Sequence, residues 1–150
     1  MYNKQKNIRK EIMMKNIGVV GYCGGKFNKA VGKALLAIAF DIVEEEHKAP
    51  KYNLVSGWTN MGIPALAYEL ADKRGWKTTG IACKKAYENE LYPVDESKVV
   101  GNEWGDESET FIDFINVLIR IGGGDQSKEE VAMAQEKGIP IYEYDLPRTE

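Results

Sequence analysis

A single histidine, His47, and two cysteines, Cys23 and Cys83, are all that this chain of 150 residues offers to metal or nucleophile chemistry of the usual kinds. A histidine-based triad or a zinc site would have to be assembled around that one His, in "EEEHK" far from any nucleophile, so His47 is expected on a solvated surface and no metal is expected. Two cysteines allow one bridge at most. Nothing else marks the chain as secreted, so both are expected as reduced packing residues. Apolar runs are broken by Asp, Gly or Arg before they could span a bilayer, and the start lacks a run of secretory length. A cytoplasmic location with no membrane partner is the resulting expectation. A net charge of -3 supplies no electrostatic reason for binding nucleic acid. Two phosphate motifs are also missing. Around "GGKF", Val20 stands where a P-loop needs its first glycine and Phe27 where it needs Ser or Thr, and "GYCGG" lacks the G-x-G-x-x-G spacing.

What is present is 43% hydrophobic content in a chain the length of one domain, with short β-rich runs alternating with stretches of helical period. Residues 1–15 form a basic stretch expected to fray, and residues 16–150 are expected to form one domain. Strands are predicted over "NIGVVGY" (16–22), "YNLVSG" (52–57), "KTTGIAC" (77–83), "SKVVG" (97–101), "NVLIRIGG" (116–123) and "IPIYEY" (139–144). Between them, Val31, Leu35, Ile38 and Ile42 predict the inward stripe of one helix. Ile63, Leu66 and Leu70 mark a second, with Pro64 tolerated in its first turn. "SETFIDF" is a short third helix, and 127–137 a fourth, stopped by Gly138. Such alternation predicts an α/β fold: a doubly wound, Rossmann-like, mainly parallel sheet with helices on both faces, because parallel neighbours need long crossovers.

In such a sheet the loops leaving the carboxyl ends of the strands share one edge, where ligands bind. Three of these loops are glycine-rich: "GYCGGKFN", "SGWTNMG" and "GGGDQS". Bare backbone there lets a ligand approach, leaves N–H groups free and aims helix N-termini at an anion, so a phosphate is the natural guest. Candidate ligand contacts are Tyr22, Gly24 and Gly25 in the first loop, Gly57, Trp58, Thr59, Asn60, Met61 and Gly62 in the second, and Gly123, Gly124, Asp125, Gln126 and Ser127 in the third. Ser127 and Glu130 have S-x-x-E spacing, which serves equally a capping box or a ligand-facing pair. Tyr22, Trp58 and Trp104 are candidates for stacking on a base or for packing. Asp106, Glu107 and Glu109 read as a solvated acidic face or as readers of ribose hydroxyls. Arg120 interrupts a strand that should be buried. It needs a carboxylate such as Glu69 as partner, unless it is a displaced anion anchor.

"LVSGWTNMGIPALAYELA" resembles the G-G-G-x-x-G-L-M-G segment, and "GGDQSKEE" the P-G-G-x-G-T-x-x-E segment, of the LOG-like proteins formerly called lysine decarboxylase-like. These sit in the SLOG superfamily with the DNA-processing protein A family, to which 55–93 is also similar. The resemblance spans roughly residues 16–145 and implies a Rossmann-like domain, a nucleotide-like small molecule as ligand, no resident cofactor, and a homodimer or higher homo-oligomer. It places Gly57 and Gly62 on the first motif, Gly123 and Gly124 on the paired glycines, Ser127 on the Thr and Glu130 on the Glu that, in the hydrolases, works with an upstream Arg to cleave a nucleoside monophosphate. Here Gly122 replaces Pro, Gln126 replaces Gly, and "GNEWGDESETF" contains no Arg. Without that cation the reaction loses its main electrostatic help. The expected function is therefore nucleotide binding without obligatory turnover. The alternative is a phosphoribohydrolase with Glu130 as catalytic residue, and the third a single-strand DNA binder, which the acidic balance disfavours.

Overall fold

The computed structural model describes residues 13–149. Six strands form one sheet: β1 (Met14–Gly21), β2 (Lys51–Ser56), β3 (Lys77–Ala82), β4 (Glu96–Val99), β5 (Val117–Ile121) and β6 (Ile141–Tyr144). Their order is β4-β3-β2-β1-β5-β6, and every neighbouring pair is parallel, with Gly18 opposite both Val55 and Leu118. The crossovers are α1 (Lys29–Glu46), α2 (Gly62–Lys73), α3 (Ser108–Phe114) and α4 (Asp125–Glu136). Strand order reverses between β1 and β5, which is where this architecture opens a crevice. β1 starts two residues earlier than expected, taking in Met14 and Lys15. The rest of the basic stretch, 1–12, lies outside the described residues.

Alternation along the strands feeds two cores, one on each face. Ile17, Val19, Leu54, Val117, Ile119 and Ile121 meet Leu36, Phe40 and Val43 of α1 and Ile63, Leu66 and Ala67 of α2. On the other face Val20, Val55, Ile81 and Leu118 meet Phe111, Ile112 and Ile115 around α3 and Val131 and Ala134 of α4. Gly18 needs to be glycine because a Cβ there would run into Ile115 and Phe111.

Two expectations are corrected, and a third is met by other residues. The inward stripe of α1 is not Val31, Leu35, Ile38 and Ile42 but the neighbouring Gly32, Leu36, Ala39, Phe40 and Val43. Val31 and Ile38 are 42% and 48% exposed. Both stripes are apolar, so helical period alone does not choose. The choice falls to tertiary contacts: Phe40 stacks on Trp76 with ring centroids 4.5 Å apart, and Gly32 admits Ile63 and Leu66 of α2. Arg120 has the carboxylate partnership expected of it, though with residues other than Glu69. It reaches across to β6, donating to Asp145 Oδ1 at 2.9 Å and Glu143 Oε1 at 3.3 Å, and to the Gly122 carbonyl at 2.8 Å. His47 is half-buried rather than solvated, its Nε2 2.9 Å from the Tyr142 hydroxyl.

Candidate ligand-binding site

A cavity of about 400 Å³ lies at the carboxyl edge of the sheet, over the ends of β1, β2 and β3 and beside the turn that follows β5. Tyr22, Cys23, Gly24 and Gly25 form one wall, Ser56, Gly57 and Thr59 a second, and Gly124 to Ser127 with Glu130 a third. Trp104, Glu107 and Phe111 close the α3 side, and Arg148 enters from the C-terminal segment. All three glycine-rich loops thus reach one cavity at the reversal of strand order.

The triple glycine divides its work. Gly122, at φ +59°, lies against the Tyr22 ring, and Gly123, at φ +101°, against the Ser127 side chain, where any Cβ would overlap its neighbour. These two are required by close packing in a left-handed turn. Only Gly124 has open space where a side chain would be, and it borders the cavity. Gly124 is also the N-cap of α4 and gives no side-chain cap, so the first N–H groups of that helix have no capping side chain. The S-x-x-E spacing does not make a capping box, because α4 begins two residues before Ser127. Ser127 is buried inside the first turn of α4, and Glu130 is buried one turn further on.

Five of the expected contacts do not line the cavity. Trp58 lies on Gly80 and donates its indole N–H to the Tyr92 carbonyl at 3.1 Å. Asn60 N–H is engaged by the Glu90 carbonyl, and Met61 is the half-exposed N-cap of α2. Gly62, at φ +60°, sits against the Tyr22 carbonyl that accepts from Ile63 N–H at 2.7 Å, so it clamps the first and second loops together. Gly123 packs on Ser127 as described. Tyr22, Gly24, Gly25, Gly57, Thr59, Gly124, Asp125, Gln126, Ser127 and Glu130 do line it. Of the aromatic candidates, Tyr22 already carries Phe27 on its ring at 5.9 Å and the Arg148 guanidinium at 4.9 Å. Trp104, 47% exposed, is the candidate that presents a free indole to the cavity.

Arg148 was not legible as a site residue, and Glu107 was read either as part of a solvated acidic face or as a reader of ribose hydroxyls. Arg148 is held over the first loop by a bridge between Phe27 and Arg148 and by Thr149 N–H donating to the Lys26 carbonyl at 2.8 Å. Only a cation shortly after the last strand hinted at it. Glu107 sits in an acidic run yet is 4% exposed. Its Oε1 accepts from Gly105 N–H at 2.7 Å and Gln126 Nε2 at 3.2 Å, while Oε2 is buried with no partner. Glu130 is 6% exposed, and burial, then the nearby Glu107 charge, push its carboxyl up to about 7 against the hydrogen bonds from Ser108 and Gln126. Cys23 opens to the cavity but is crowded by protein. Burial first, then Glu130 and Glu107, raise its thiol to about 11 despite a hydrogen bond with Thr59. A thiol held in that state is a poor nucleophile. Among the described residues no group of three or more His, Cys, Asp or Glu side chains is arranged to hold a metal ion, and no helix is long and apolar enough to cross a membrane.

No family model matches the sequence, and no curated protein matches it. Solved structures do match. The structural-genomics protein TM1055 aligns with a TM-score of 0.68 at 21% identity, over 85% of this chain and 72% of that one. The molybdenum cofactor binding protein from the phototrophic bacterium Rippkaea orientalis has a TM-score of 0.68 at 24% identity, over 87% and 76%. The molybdenum cofactor carrier protein from Chlamydomonas reinhardtii has a TM-score of 0.63 at 21% identity, over 87% and 76%. What this chain has in common with them is the fold, a Rossmann-like α/β architecture built here on a parallel six-stranded sheet.

Proposed function

We propose that this protein binds a small nucleotide or nucleotide-derived ligand in the cavity at the carboxyl edge of the sheet. The observation that carries this reading is the meeting there of all three glycine-rich loops with one cation, Arg148. Phosphate is assigned to the turn between β1 and α1. Gly24 and Gly25 are exposed there, Arg148 stands over Tyr22, and the turn leads to the N-terminus of α1, capped by Asn28. The turn before α4 offers further N–H groups, but Asp125, Glu107 and Glu130 around it favour a neutral, donor-bearing part of the ligand over phosphate. Trp104 is placed to stack on a planar ring. Two of the solved neighbours are described as molybdenum-cofactor binding or carrier proteins, so that cofactor belongs among the ligands to be tried.

A thermal melt against nucleoside monophosphates, ADP-ribose, NAD, cyclic nucleotides, molybdenum cofactor and single-stranded DNA tests the reading. A ligand at about a hundredfold excess over its dissociation constant adds about 2.7 kcal/mol of stability. Gly124→Val, Ser127→Ala and Arg148→Ala are each expected to remove or shrink that shift. Stabilisation that survives all three substitutions would move the ligand to another site, and no stabilisation by any ligand of the panel would leave only the fold.

A second reading, hydrolysis of an N-glycosidic bond, draws on the state of Glu130. A carboxyl pushed up to about 7 beside a second carboxylate is suited to protonate a leaving base near neutral pH. Release of free base from a nucleoside monophosphate, lost in Glu130→Ala while binding persists, is the outcome this reading requires.

The assembly is proposed as a homodimer through α1. Val31 and Ile38 are exposed, with Leu35 and Ile42 half-buried between them on one stripe. The helix is basic at its start, with Lys29 and Lys33, and acidic at its end, with Asp41 and Glu45. An antiparallel pairing of α1 with its copy about a two-fold axis brings opposite charges together along a shared apolar seam. Light scattering is expected to give a dimer for the native chain and a monomer for Ile38→Glu. A monomeric native chain, or a variant that stays dimeric, overturns it.

A further inference from the structure

Glu107 is an anomaly the fold does not need. A carboxylate at 4% exposure with one oxygen lacking any hydrogen-bond partner carries an uncompensated cost in an isolated domain. It does not pair with a cation, and its Oε1 already accepts two bonds. Glu107 and Glu130 both border the cavity, and Gln126 donates to Glu107 Oε1 at 3.2 Å. Glu107 thus brings to the α3 side of the cavity a buried acceptor atom that no protein donor satisfies.

Resting on the nucleotide-site reading, we propose that Glu107 and Glu130 receive the donor–donor edge of a 2-amino-lactam ring, the ring N–H and adjacent amino group found in guanine and in pterins. Two acceptors side by side are matched by two donors side by side. Adenine sets an acceptor nitrogen next to its amino group, which would face a carboxylate oxygen, and hypoxanthine has the ring N–H without the amino group. A donor delivered to Glu107 Oε2 satisfies the orphan atom, so a ligand lacking it leaves a buried acceptor unpaired and loses heavily. A metal ion in the same place would need a third protein ligand, and the described residues hold no such group.

Titration calorimetry with GMP, IMP and AMP separates the possibilities. The native protein is expected to bind GMP at least tenfold more tightly than either of the others. Glu107→Gln is expected to remove most of that preference by weakening GMP rather than by strengthening AMP. Glutamine has the same shape, and the variant's melt without ligand shows that it folds; Glu107→Ala, assayed in the same way, is expected to lose the preference as well. Equal binding of all three by the native protein, or an undiminished GMP preference in both variants, overturns the donor-edge inference and leaves the nucleotide site standing. Binding of none of the three overturns the donor-edge inference, and the thermal melt against the wider panel then decides whether the nucleotide site falls with it.

Discussion

Glu130→Gln is expected to stabilise the protein at pH 8 and to leave it nearly unchanged at pH 5. Burial raises the Glu130 carboxyl from an ordinary 4.5 to about 7, so the folded chain holds a proton that the unfolded chain releases. The stability linked to that proton is fully present below pH 4.5 and falls as pH rises towards about 7, after which it stays lost. A shift from 4.5 to about 7 corresponds to about 3 kcal/mol. Glutamine removes the ionisation while keeping a carbonyl oxygen for Ser108 and Gln126, and its new N–H groups have Glu107 nearby as an acceptor. For a domain of this size the difference amounts to roughly 6–12 °C in melting temperature at pH 8. Parallel melting curves of native protein and variant from pH 5 to pH 8 would refute the raised carboxyl.

Gly62→Ala is expected to cost about 3 kcal/mol and to distort the site. Gly62 has φ +60°, where a Cβ costs about 1–2 kcal/mol for the left-handed backbone alone. That Cβ would also overlap the Tyr22 carbonyl and the backbone of Cys23, neither of which can swing aside as a flexible side-chain tip can. Overpacking of this sort adds about 1–3 kcal/mol. The Tyr22 carbonyl accepts from Ile63 N–H, so the loop that must yield is the one assigned to phosphate. Gly57→Ala is the control: nothing lies within 4 Å of its added Cβ, and its backbone is not left-handed. Chemical denaturation is expected to separate the two variants, with Gly62→Ala alone showing the loss. Similar midpoints for both would remove the clamp from the account.

Much of the architecture was legible because it is written in local chemistry. The strand cores of β1, β2 and β5 are rich in β-branched and aliphatic residues, and Gly75 and Gly138 end α2 and α4 with positive φ, as a helix exit requires. Alternation of strand and helix then dictates parallel pairing and places the glycine-rich loops on one edge. The start of α4 was misjudged by two residues, since glycine at 124 caps it where S-x-x-E spacing pointed to Ser127.

What period and spacing do not contain is distance between residues far apart in the chain. Two adjacent stripes of α1 are both apolar, and contacts with Trp76 and α2 determined which one is buried. Trp58 and Trp104 look alike as aromatic loop residues, but Gly80 accommodates the first in packing and leaves the second facing the cavity. Arg148 reaches the site because the last strand returns the chain to the loop around Phe27. Glu107 turns from a surface charge into a buried acceptor because Gln126, across the chain from it, closes over one of its oxygens. The sequence by itself determined the layering of the sheet and the edge on which the glycine-rich loops gather, since these follow from short-range periodicity and turn chemistry. Only the tertiary structure decided the charge and hydrogen-bonding pattern of the cavity, because burial and pairing depend on which distant segments are brought together.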